Sequence, residues 1–569
     1  MGVTKATKWW ALAALSLSVL VVALDLFVLT LALPTLSADL HASSSDLQWF
    51  VDAYSLVLAA ALLPAGLFGD RVGRKRLLLA ALALFGLASA ACAYSTSAAE
   101  LITARAVLGI AAALIMPLSL SVLPVLFTAE ERPRAIAAVG GATFLGYPIG
   151  PILGGWLLDH FWWGSVFLIN VPVVIIALIA VATLMPESRG ERASRIDLAG
   201  IALSSAGLTS LTYGLIKAGE NGWTDPVAIS TISAGAVLLA GFVGWERRAG
   251  GHRLVDLGLF SSAGFTWGTI LSTLVSFALF GLFFAMPLYF RDVRGLNSLG
   301  AGLRMLPMVG GLVAGLMIGQ RLQTPRKAGA LPTASSGPAA PAARAGTPLP
   351  PLGANVGAAA GFAIIAGALA VGAGTTVTSG TGFAAAWFAV TGFGLGLAMP
   401  IAMNAALGAL SPARSGSGSA VITAMRQVGG TIGVAMLGTV LATVYRGGLH
   451  LAGIGAALPA RATAAVRGSV AGGVGVAHAL AAEAQKLGAA GGPARAGSAA
   501  LLGTVRISYV HGLDVMLWIC AGIAVASALL ALAFLPRRAA GSGRPTSQDR
   551  AAPQDSALVT GSAGPSRAE

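Results

Sequence analysis

Long apolar runs, separated by short polar segments, fill most of this chain. A helix needs about 20 apolar residues to cross the hydrocarbon of a bilayer, and fourteen runs reach that length: roughly 10–33, 49–68, 77–97, 101–127, 135–158, 163–185, 197–216, 226–245, 264–289, 301–321, 355–378, 383–409, 419–445 and 513–535. The pattern predicts an all-α polytopic membrane protein. The first run is flanked by Lys5 and Lys8 but is about 24 residues long with no small-residue cleavage pattern. It is therefore expected to be a spanning helix and not a removed signal peptide.

Three stretches interrupt the rhythm. Residues 323–353, rich in Pro, Ala and Gly, lie between the tenth and eleventh runs and read as a flexible linker. Residues 446–512 read as an extracellular loop in which "AHALAAEAQKL" forms a short helix, and the tail after Arg538 reads as disordered. The short loops set the orientation. One alternate set carries Arg71, Arg74, Lys75, Arg76, Arg132, Arg134, Arg189, Arg192, Arg195, Arg247, Arg248 and Arg253, against Lys217 in the other. By the positive-inside rule both termini face the cytoplasm.

Composition agrees: 56% of residues are hydrophobic and 10% charged, with mean hydropathy +0.81, too apolar for soluble cores. The formal charge of +14 would suit a nucleic-acid binder only if Lys and Arg clustered on a solvated face, whereas most fall singly between apolar runs. Cys92 and Cys520 are far apart within such runs, so neither a disulfide framework nor a Cys-based metal site is indicated. None of the six histidines lies inside a run, which disfavours a His-rich metal path or proton relay.

Of the 22 acids only Asp25 falls well inside a run. About eight residues from the outer end, it sits about 12 Å deep at 1.5 Å per residue, and embedded carboxylates usually mark proton or substrate paths. Arg105 lies about 6 Å deep by the same rise, where snorkelling to headgroups is the alternative. Asp52 lies at similar depth, and Asp25, Asp52 and Arg105 are expected to share one polar region whose carboxylate changes partners on protonation. In "GLFGDRVGRKR", Gly69 and Gly73 allow a tight turn, Asp70 can cap a helix N-terminus, and the arginines can bind carboxylates, helix C-termini or headgroups. In "GYPIGPILGG", Gly146, Gly150 and Gly154 form an i, i+4, i+8 stripe for close helix packing, while Pro148 and Pro151 remove backbone donors and bend the helix. Gly164, in the following loop, is expected to tolerate a side chain.

These stretches resemble the major facilitator superfamily, in particular its fourteen-helix drug:proton antiporters of the EmrB/QacA type. "GLFGDRVGRKR" is similar to the superfamily's loop 2–3 signature and "GYPIGPILGG" to the antiporter signature of helix 5. "LITARAVLGIAAA" resembles the helix 4 signature and "LDLFVLTLALP" that of helix 1, with "RIDLAGIALSS", "GLNSLGAGLRMLPM" and "RQVGGTIGVAMLG" extending the likeness. The resemblance implies the major facilitator fold with 14 transmembrane helices. These would divide into a six-helix bundle (1–195), two additional helices (196–250), a second six-helix bundle (251–540) and a cytoplasmic tail (541–569). It implies proton coupling through Asp25 and Arg105, with Asp52 nearby; a gating motif of Gly66, Asp70, Arg71, Gly73 and Arg74; and an antiporter motif of Gly146, Gly150, Pro151, Gly154 and Gly155. Leu108 stands where the helix 4 pattern often has Gln, and the 323–353 insert replaces a second copy of the loop motif.

The expected function is export of a lipophilic compound by a monomer of the bacterial inner membrane, with the proton motive force in place of a cofactor. The alternative is a dedicated exporter of one natural product or metabolite. An importer would lack the helix 5 pattern, and an enzyme or receptor would need buried His, Cys or paired acids, or a soluble domain. Tyr54, Tyr147, Phe280, Phe284, Tyr289, Trp387 and Met399 are candidate pocket residues, because apolar ligands favour aromatic and Met surfaces.

Overall fold

A computed structural model describes residues 5–42, 44–128, 130–189, 197–248, 254–323, 353–410, 415–451, 458–486 and 492–536. Among these, helices dominate and no strand occurs. The first half holds α1 (Lys5–Asp39), α2 (Ser44–Val72), α3 (Arg74–Ala93), α4 (Ala98–Ser121), α5 (Leu123–Leu126), α6 (Arg132–His160), α7 (Ser165–Leu168) and α8 (Asn170–Leu184). Next come α9 (Leu198–Asn221) and α10 (Pro226–Arg248). The second half holds α11 (Ala263–Leu288), which continues into a π turn at Tyr289–Val293, then α12 (Ser298–Leu303), α13 (Leu306–Gln323), α14 (Ala354–Gly372) and α15 (Thr381–Gly408). It closes with α16 (Ser415–Gly448), α17 (Ala460–Gly468), α18 (Val470–Lys486) and α19 (Gly492–Phe534).

Among the described residues thirteen stretches are long and apolar enough to cross a membrane. The fifth apolar run is α6, 29 residues long, which is not one of the thirteen. Side-chain caps start several helices: Ser97, Asp197 and Asn297 each accept from the backbone N–H three residues on. The last helix departs from expectation, since α19 begins at Gly492 and not near 513, and α17 and α18 fill much of the stretch read as a loop. Its first turns are Ala-rich and favour helix, but Arg495, Arg506, His511 and Asp514 hold hydropathy down there. The linker 324–352, the arginine loops 190–196 and 249–253, and the tail beyond 536 lie outside the described residues.

Two bundles result. In the first, α2 packs on α4, α1 on α6 and α8, and α3 on α4 and α8. In the second, α15 packs on α13, α14 and α11, while α19 packs on α14 and α16. Their seam is made by α16 against α2 and α4 and by α6 against α12, α13 and α15. The additional pair sits beside this seam, α9 touching both α2 and α16, with α10 packed chiefly on α9. Large apolar side chains such as Leu87, Ile176, Ile179, Val237 and Leu529 face outward, which suits lipid and would be an extensive apolar surface in water.

Candidate functional site

The buried polar cluster of the first bundle is built by five helices. Asp25 of α1 is fully buried and Arg105 of α4 is 1% exposed, so Arg105 does not snorkel. The Arg105 Nη1 donates to Asp25 Oδ2 at 2.5 Å and its Nε to the Phe50 carbonyl of α2 at 2.9 Å. Its guanidinium also lies over the Tyr54 ring, 4.5 Å from the centroid. A planar fork that forms two directed bonds and a stacking contact is specific to arginine. From α8, Asn170 Nδ2 donates to Asp25 Oδ1 at 3.2 Å and to Ser89 Oγ of α3 at 2.9 Å. An ion pair so buried persists only when its remaining bonds are also satisfied, and losing one partner is far more costly than losing both. Asp52 stands apart: it is half-buried on α2, and the charges acting on it are Glu220 and Lys217 of α9.

A second cluster joins the bundles at the end where the basic loops gather. Arg74 donates to Asp70 Oδ1 from Nε at 3.1 Å and Nη2 at 2.7 Å. The same carboxylate takes the Ser417 backbone N–H in the first turn of α16. An anion at a helix N-terminus meets unpaired N–H groups and the positive end of the dipole. Beside it, Ser415 Oγ donates to the Ser121 carbonyl at 2.9 Å and Ser419 Oγ to the Pro117 carbonyl at 3.0 Å, tying α16 to α4. Gly66 and Gly416 face each other so closely that a Cβ on Gly66 would sit 2.7 Å from the Gly416 carbonyl. Gly73 has φ 115°, a conformation that favours glycine, and it turns the chain beneath Glu187, whose carboxylate takes the Lys75 N–H. Arg71 is exposed.

Between the bundles lies a narrow cavity of about 30 Å³. That suffices for one or two waters and is far below the size of a drug pocket. Its wall is apolar, with Met116, Met399 and Met403 prominent, apart from hydroxyls at Thr143 and Thr423 and the guanidinium of Arg426, whose Nε donates to Ser276 Oγ at 3.3 Å. Of the expected pocket residues whose side chains are described, only Met399 lines it. Tyr54 lies against Arg105. Trp387 and Tyr289 are buried, Trp387 against Phe388 of its own helix and Tyr289 with its hydroxyl on the Thr376 carbonyl. Phe280 packs on Gly430, and Phe284 is 41% exposed. Flat rings here fill helix crossings, while the cavity wall uses flexible thioethers. The side chains of Tyr147, Pro148 and Pro151 lie outside the described residues.

On α6, Gly146, Gly150, Gly154 and Gly155 are all buried, and a Cβ on Gly146 would come within 2.6 Å of Ala23 Cβ on α1. The helix continues through the prolines. Gly164 is not slack: a Cβ there would collide with the Trp162 ring and the Ala93 carbonyl.

The sequence model of the Major Facilitator Superfamily matches residues 15–434. The chain belongs to this superfamily. It is 34% identical over 482 residues to the multidrug efflux pump LfrA of Mycolicibacterium smegmatis, covering 84% of this chain and 88% of that protein. It is 31% identical over 436 residues to the tetracenomycin C resistance and export protein of Streptomyces glaucescens, 76% of each. A solved structure of the proton:xylose symporter XylE shares the fold, with TM-score 0.56, 14% identity, and coverage of 93% of this chain and 96% of that one.

Within this major facilitator chain, three polar side chains of the buried cluster and the cavity wall escaped the sequence reading. Asn170 and Ser89 carry no charge, and Asn170 bonds a residue 145 positions away. Arg426 had a signal, since it is a cation inside an apolar run.

Proposed function

We propose that this protein is a proton-coupled exporter of lipophilic compounds in the bacterial inner membrane. The observation that carries the proposal is the buried Asp25–Arg105 pair on α1 and α4, the helices that also supply Val19, Met116 and Leu120 to the wall of the apolar inter-bundle cavity. Protonation of Asp25 removes the negative half of the pair, so Arg105 loses its ionic partner and the packing of α1 against α4 changes. An alternating cavity can use that difference, because a ligand shifts an equilibrium only by its unequal affinity for the two states. One charge crossing the membrane releases about 2.3 kcal/mol per 100 mV, enough for tens-fold accumulation at bacterial potentials. The basic end is cytoplasmic in this reading, and α6 completes fourteen spans.

The export assignment draws on relatives described as efflux and resistance proteins. The S. glaucescens relative, described by a single compound, favours a second reading in which the substrate is one natural product. A resistance panel in an exporter-deficient host separates the two. The coupling is tested by Asp25→Asn in energised vesicles: protein inserts normally and proton-driven efflux disappears, whereas wild-type efflux would rule Asp25 out as the coupling carboxylate.

A further inference from the structure

Asn170 opens α8 and is 1% exposed. The two oxygens of Asp25 are held by different elements, Oδ2 by Arg105 of α4 and Oδ1 by the Asn170 amide of α8. Asn170 is itself anchored, since its Nδ2 also donates to Ser89 Oγ, which donates to the Phe167 carbonyl at 3.0 Å. Its own Oδ1 is buried with no hydrogen-bond partner. An unpaired amide oxygen in such a place is costly, and each one in a native structure calls for a reason.

The chemistry of Asp25 supplies one. An ionised carboxylate only accepts hydrogen bonds, whereas the protonated acid carries an O–H that needs an acceptor. Arg105 has donors and no acceptor. An asparagine amide carries both functions on one rotatable group, and which end is N and which is O follows from the network around it.

We propose that Asn170 is the positioning residue of Asp25 in both protonation states. It donates Nδ2–H to the carboxylate and, with its amide turned about the terminal torsion, accepts the acid's O–H on Oδ1. The arriving proton rests on Asp25 Oδ1, and Arg105 keeps Oδ2. The turn withdraws Nδ2 from Ser89, so the contact between α3 and α8 senses the charge on α1. This inference rests on the reading of Asp25 as the proton-linked acid.

The titratable and charged groups around Asp25 are Arg105 of α4, which is always charged, Cys92 of α3, and Tyr54 of α2 on the far side of the Arg105 guanidinium. Cysteine and tyrosine ordinarily titrate well above a carboxylate. The segments α7 and α8 contain no titratable residue, and Tyr147 of α6 lies outside the described side chains.

The test is infrared difference spectroscopy of the full chain in liposomes during acidification, combined with efflux measured against pH. The Asp25 acid carbonyl band is identified by its disappearance in Asp25→Asn. In Asn170→Leu, similar in size but without polar atoms, that band moves to higher frequency, because the acid has lost its hydrogen bond. The pH midpoint of efflux moves alkaline by about half a unit, since the bond lost by the ion is the stronger of the two. Asn170→Ala gives the same readings if leucine prevents folding. Ser89→Ala, which removes a neighbouring buried bond without touching Asp25, leaves the band in place. A wild-type band and midpoint in both Asn170 variants would overturn the assignment, as would an equal displacement of the band in Ser89→Ala. Retention of proton-driven efflux by Asp25→Asn would instead defeat the coupling reading itself.

Discussion

At the scale of single residues, the Asp25–Arg105 pair makes a prediction about stability separate from transport. Removing one member of a buried pair typically costs about 3–5 kcal/mol, because the other charge is left uncompensated. Asp25→Asn and Arg105→Gln should therefore each lower the denaturation midpoint of the detergent-solubilised protein. The double variant should lose clearly less than the sum of the two. Strict additivity would show that the charges are not coupled. Arg105→Lys should also abolish efflux while keeping the charge, because an ammonium replaces neither the bond to the Phe50 carbonyl nor the stacking on Tyr54. Charge made this pair legible in the sequence, since an embedded carboxylate is conspicuous. Asn170 was not legible, because a neutral amide at a helix start looks like any turn residue until the fold brings α8 against α1.

At the scale of helices, glycine spacing on α6 identified the packed face, and the structure shows what it meets. A side chain on Gly146 would meet Ala23 Cβ and, at 3.0 Å, the Leu20 carbonyl. Overpacking of this kind typically costs 1–3 kcal/mol, so Gly146→Leu should sharply reduce efflux. Gly241→Leu on α10, where an added Cβ meets nothing within 4 Å, should leave efflux near wild type; equal activity of the two would make the stripe ordinary packing. The start of α6 is tied to α1 by Lys8, whose Nζ donates to Glu131 at 2.6 Å and holds that carboxyl below its usual range. A depressed carboxylate stabilises the folded state above its unfolded pKa and loses that contribution as pH falls through the folded one. Acid should therefore lower the protection factors of the amides in the first turns of α1, measured against their intrinsic exchange rates, as Glu131→Gln should at neutral pH. Hydropathy was a weaker guide to helix ends, because α19 runs through His511 and Asp514 without a break. It also could not say which aromatic faces a cavity and which fills a crossing.

At the scale of the molecule, the bundles touch on both sides of the central cavity. At the basic end are Asp70 on the α16 N-terminus and the two serine bonds to α4. At the other end, α12 packs on α6, with Gly302 against Ile152. With both ends in contact and room for only one or two waters between them, export requires one set of contacts to part while the other holds. The basic-end contacts are local enough to weaken selectively. A side chain on Gly416 would run into the Asp70 carboxylate, and at 1–3 kcal/mol Gly416→Val should shift an open–closed balance by roughly ten-fold to more than a hundred-fold. Ser415→Ala with Ser419→Ala removes two bonds worth about 1 kcal/mol each and should shift it about ten-fold or more. Opening can be followed by maleimide labelling of a cysteine replacing Leu120 on the cavity wall, since Cys92 and Cys520 are buried. Both changes should raise labelling in inside-out vesicles, where the cytoplasmic face is exposed, and not in right-side-out ones. Increased labelling only in right-side-out vesicles would reverse the assigned orientation. Unchanged labelling in both preparations would mean that the contacts among α2, α4 and α16 do not hold this end closed.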